Sequence, residues 1–80
     1  MVMEARIFGE RLKQLREDSG LTQEKLAQAA NLTTSFVSTL ERGGKVPSLT
    51  SVLKIARALK QDASALLVDF NYDAMRKMKF

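Results

Sequence analysis

On a predicted helix from about Thr34 to Arg42, the side chains of Ser35, Ser38, Thr39 and Arg42 fall on the outward face. Three hydroxyls, each able to donate and accept a hydrogen bond, and one guanidinium make either a solvated helix face or a surface that binds a polar or anionic partner. The chain's 80 residues include no histidine and no cysteine, so the usual general bases, nucleophiles and thiolate metal ligands are missing. The carboxylates lie mostly where a solvated helix face would put them. The chain is expected to be no enzyme, to hold no metal and to need no cofactor.

Net charge is +4, which solubility alone can account for, but its distribution says more. Between Lys25 and Gln61 the basic residues are Lys25, Arg42, Lys45, Lys54, Arg57 and Lys60, and the only acid is Glu41. That stretch either faces an anion or keeps the protein in solution. Residues 1–10 lack the apolar run of a signal peptide, and no segment approaches the ~18 apolar residues of a membrane span. A cytoplasmic protein is expected, with no membrane partner.

Elements that could position the hydroxyl face are written in helical periodicity and capping residues. Ile7, Phe8, Leu12 and Leu15 form the stripe of a first helix closed by Asp18, Ser19 and Gly20. Thr22 caps a second helix from about Gln23 to Ala30, whose inward positions Leu26, Ala27 and Ala30 allow close approach of a neighbour. Asn31, tolerant of left-handed geometry, ends it. Thr33 caps the third helix, with Val37 and Leu40 inward and Gly43 and Gly44 after it. Ser48 caps a fourth, where Leu49, Val52, Leu53, Ala56 and Leu59 supply the clearest amphipathic stripe. A fifth short helix from about Ala63 to Val68 opens at Asp62 and offers Leu66 and Leu67 to the core. The expected fold class is all-α, a compact five-helix bundle in one small domain.

Two short helices joined tightly at Asn31, with Ala27 at the inner face, resemble a helix-turn-helix at helices 2 and 3. Three runs extend the resemblance: GLTQEKLAQAA from Gly20 to Ala30, FVSTLERG from Phe36 to Gly43, and PSLTSVLKIARAL from Pro47 to Leu59. Over about Phe8 to Leu67 the chain is similar to the phage-repressor and Cro (XRE-like) family of regulators. Asn31 departs from the glycine usual there, a conservative change on conformational grounds.

The resemblance implies that helix 3 lies in the major groove of double-stranded DNA, with Thr34, Ser35, Ser38 and Thr39 at base edges. It implies phosphate contacts from Gln23, Thr33, Arg42 and Lys45, and a structural ion pair between Arg16 and Glu41. Phe36 is open to two readings, a thymine methyl contact or packing on helix 2. The implied function is sequence-specific transcriptional regulation, with the protein binding a palindromic operator as a homodimer and sensing no small-molecule ligand. Two alternatives stand beside it. One is an antitoxin whose DNA binding is autoregulatory, and the other is a protein-interaction module that has lost DNA binding.

Residues 1–69 are expected to form the DNA-binding domain and 70–80 a C-terminal extension. Val68, Phe70, Tyr72, Met75, Met78 and Phe80 make that tail apolar, while Arg76, Lys77 and Lys79 keep it soluble. It is either a frayed end or a dimer surface, with Leu67, Phe70, Tyr72 and Met75 as the candidate seam.

Overall fold

The computed structural model describes residues 2–80 and contains six helices among them. They are α1 (Met3–Asp18), α2 (Gln23–Ala30), α3 (Thr34–Glu41), α4 (Leu49–Ala58), α5 (Ala63–Leu66) and α6 (Tyr72–Arg76). No strand occurs among the described residues. Compared with the five helices expected, the addition is α6, which Asn71 caps by accepting from the Ala74 amide at 2.9 Å.

Local chemistry sets most boundaries. The hydroxyls of Thr22, Thr33 and Ser48 accept from the backbone amides of Lys25, Phe36 and Ser51, satisfying donors that a helix start leaves without partners. Gly20 and Gly43 close α1 and α3 at φ of 72° and 75°. Asn31 closes α2 at φ 56° and ψ 47°, so the left-handed turn expected of it is present. Lys60 takes φ 57° after α4, a position with no glycine to mark it.

The core gathers Phe8 and Leu12 of α1, Leu26 and Ala30 of α2, Val37 and Leu40 of α3, and Ile55 of α4, with Leu66 from α5. Helix α1 starts four residues before Ile7, and buried Ala5 carries its stripe back a further turn. Packing is closest where α1 and α2 meet α3. Gly9 makes the first contact possible: a Cβ there would lie 2.8 Å from the Glu41 carbonyl oxygen and closer still to that of Leu40. Any side chain would push α1 off the end of α3.

Three expected core positions are overturned. Leu49 and Leu53 are 70% and 49% exposed, while Ile55 is fully buried, so the inner row of α4 is Val52, Ile55, Ala56 and Leu59. Apolar residues cover more than one side of α4, and periodicity cannot choose between neighbouring stripes; contact with α2 and α5 does. Leu67 is likewise 41% exposed, because α5 ends at Leu66 and Leu67 has already left helical geometry.

The C-terminal segment holds one residue packed on the core, Phe70, and one other that is buried, Met78. Tyr72 and Met75 remain exposed.

Candidate nucleic-acid interface

Helices α2 and α3 are each eight residues long and are joined by Asn31, Leu32 and Thr33. The Leu32 amide donates to the Ala27 carbonyl at 2.9 Å, which winds the chain back over the end of α2. Ala27 and Ala30 are nearly inaccessible, and Val37 and Leu40 meet them from α3. One side of α3 is thereby sealed and the other left to solvent.

Thr34 and Ser35 open that outer side and are exposed, with hydroxyls that make no hydrogen bond among the described residues. Ser38 and Thr39, one turn later, are half-exposed and already engaged. The Thr39 hydroxyl donates to the Ser35 carbonyl at 2.9 Å, and Arg42 donates to Ser38 Oγ and, at 3.4 Å, to Thr39 Oγ1. Thr33 has its oxygen committed to the Phe36 amide. The Phe36 ring packs against the core, and the Lys45 ammonium stands 5.9 Å from its centroid, a cation–π arrangement that keeps the cation at the surface beside α3.

Behind this face lies a charge cluster. Arg16 Nε donates to Glu41 Oε2 at 2.6 Å and Nη2 to Oε1 at 3.0 Å, while Nη1 donates to the Leu21 carbonyl at 2.8 Å. The Glu41 hydrogen bond, opposed by burial, raises the Arg16 pKa above its ordinary value. Gln23 Nε2 donates to Glu41 Oε1 at 3.0 Å, an interaction beyond the phosphate contact that the resemblance implied for Gln23. One amide hydrogen of Gln23 remains free for a second acceptor. Glu41 is the sole acid between Lys25 and Gln61, and its side chain is only 3% exposed. The segment's cations therefore reach solvent with no carboxylate among them.

A further point was readable but missed: Arg42 stands three residues after Thr39 and four after Ser38, the spacings at which helical side chains meet. No helix among the described residues is long and apolar enough to cross a membrane.

Two short packed helices with buried alanines between them, a left-handed turn, and a hydroxyl face free of exposed acids define a helix-turn-helix DNA-binding protein. The chain belongs to the XRE-like family of helix-turn-helix transcriptional regulators, a family of DNA-binding proteins rather than enzymes: the family model for the helix-turn-helix domain matches residues 7–67. It is 37% identical over 62 residues to control protein C.BamHI of Bacillus amyloliquefaciens, covering 76% of each chain. It is 39% identical over 59 residues to the immunity repressor protein of Bacillus phage phi105, covering 74% of this chain but 41% of the repressor. Among solved structures, the restriction-modification controller protein C.AhdI from Aeromonas hydrophila superposes with a TM-score of 0.77 at 41% identity, over 79% of this chain and 96% of that one.

Proposed function

We propose that this regulator binds a palindromic operator in the cytoplasm as a twofold homodimer, α3 of each copy entering the major groove. The observation that carries this reading is the inward turn of Glu41. With that carboxylate held by Arg16 and Gln23, Lys25, Arg42, Lys45, Lys54, Arg57 and Lys60 share a stretch of chain that shows no negative charge to a phosphate backbone. Relatives named as a phage repressor and a restriction-modification control protein support the same reading.

On this reading Thr34 and Ser35 meet base edges directly. Thr33, Gln23 through its spare amide hydrogen, and Lys45 meet phosphates. One recognition helix spans too few base pairs to select a genomic site, and twofold symmetry doubles the contact, with half-sites about 34 Å apart. Leu67, Tyr72 and Met75 are the exposed part of the seam, and Phe70 supports it from beneath.

Selection of bound sequences from a random DNA pool tests the reading. A palindromic consensus with half-sites one helical turn apart is expected. Recovery of sequences no different from the starting pool would remove it.

A further inference from the structure

Hydroxyls discriminate bases poorly, because a single freely turning O–H pairs with several donor and acceptor patterns. A recognition face of Thr34, Ser35, Ser38 and Thr39 alone would therefore be a weak reader. The conformation of Arg42 changes the inventory of that face.

Arg42 caps the C-terminal end of α3, the end at which the family resemblance implies a phosphate contact. Its side chain runs back along the helix. Nη1 donates to Ser38 Oγ and Nη2 to Thr39 Oγ1. Because the Thr39 hydroxyl spends its own proton on the Ser35 carbonyl, it offers Arg42 a lone pair and is itself held in place. The guanidinium thus lies about one turn, roughly 5 Å, nearer the start of α3 than its own backbone. It remains exposed there. No carboxylate pairs with it among the described residues, since Glu41 next to it is turned to Arg16. Two of its five N–H groups are used on hydroxyls and three are left.

We propose that Arg42 is the guanine-reading residue of α3, and that Ser38 and Thr39 are positioning residues that hold its guanidinium over the base edges instead of over a phosphate. The proposal rests on α3 being the recognition helix, and it moves Arg42 from the phosphate role that family resemblance implies. A planar fork matches the O6 and N7 acceptors of guanine, and anchoring it at two hydroxyls leaves less rotamer freedom to lose on binding.

The test compares the parent protein with Arg42→Ala, Arg42→Lys, Ser38→Ala and the Ser38→Ala/Arg42→Ala pair. Each is used to select DNA from a random pool and is then titrated on the parent's consensus. A guanine is expected at one position of each half-site for the parent. Exchanging that pair for A·T should weaken the parent roughly 5- to 150-fold per half-site, and Arg42→Ala by no more than about twofold. Arg42→Lys keeps the charge but not the fork, so it should retain the parent's salt dependence and lose the guanine preference. Ser38→Ala should reduce the preference at the same base pair, with no further effect once Arg42 is alanine.

If Arg42→Ala instead selects the parent's consensus unchanged, binds all DNA equally more weakly and lowers the salt slope by about 0.9, Arg42 is a phosphate contact and the proposal falls. The operator reading would survive that result. A parent that selects no consensus would end both.

Discussion

Arg16 and Glu41, 25 residues apart in the chain, meet through two parallel hydrogen bonds of 2.6 and 3.0 Å at a depth where their side chains are 11% and 3% exposed. The pair joins α1 to the last turn of α3. It also hides the one acid between Lys25 and Gln61, so a structural contact and the charge that this stretch shows to solvent depend on the same two residues.

Breaking it from one side should be costly. Arg16→Met leaves the Glu41 carboxylate buried with only Gln23 as a partner, and a loss of about 3–5 kcal/mol is expected. Arg16→Met combined with Glu41→Leu removes both charges and should recover much of that loss. Thermal unfolding of parent, single and double variants measures both steps. A double variant no more stable than the single would show that packing, not the stranded charge, sets the cost.

Gly9→Ala tests the closeness of α1 and α3. Alanine is the better helix former by about 1 kcal/mol, so an open helix position would gain stability. Here the added methyl runs into the carbonyl oxygens of Leu40 and Glu41, backbone atoms that cannot turn aside. A net loss of about 1–3 kcal/mol is expected, read as a lower melting temperature and earlier denaturant midpoint.

Lys45 separates backbone attraction from sequence reading. Each phosphate neutralised should contribute about −0.9 to the slope of log affinity against log salt. Lys45→Ala should make that slope shallower by one such step and weaken operator and unrelated DNA by the same factor. Fluorescence anisotropy titrations over a range of salt concentrations check this. An unchanged slope would place Lys45 away from the backbone.

The proposed seam is best tested without shortening the chain, because a cut after Asp69 would also remove Phe70, which packs against the core, and the buried Met78. Tyr72→Glu with Met75→Glu adds charge at two exposed positions and leaves Phe70 and Met78 in place. The variant should keep its helical circular dichroism, sediment as a monomer and bind operator far more weakly. A dimer that persists would assign the seam to other surfaces, among which the exposed Leu49 and Leu53 of α4 come first.

Helix termini were legible because capping is local: Thr22, Thr33 and Ser48 each need only an amide three residues on, and Asn31 and Gly43 need only their own φ. The helix-turn-helix was legible for the same reason, since its alanines, turn and caps lie within one continuous stretch of about twenty residues. Sequence by itself therefore determined where α2 and α3 start and stop, where α1 ends and α4 begins, and which segment carries the helix-turn-helix. Only the tertiary structure decided which of two apolar rows on α4 is buried, that Gly9 admits the end of α3, and that Gln23 joins Arg16 in holding Glu41. Those outcomes depend on atoms brought together from distant parts of the chain, and a local pattern compatible with two faces or two partners is resolved by whichever arrangement fills the core and leaves no buried charge unpaired.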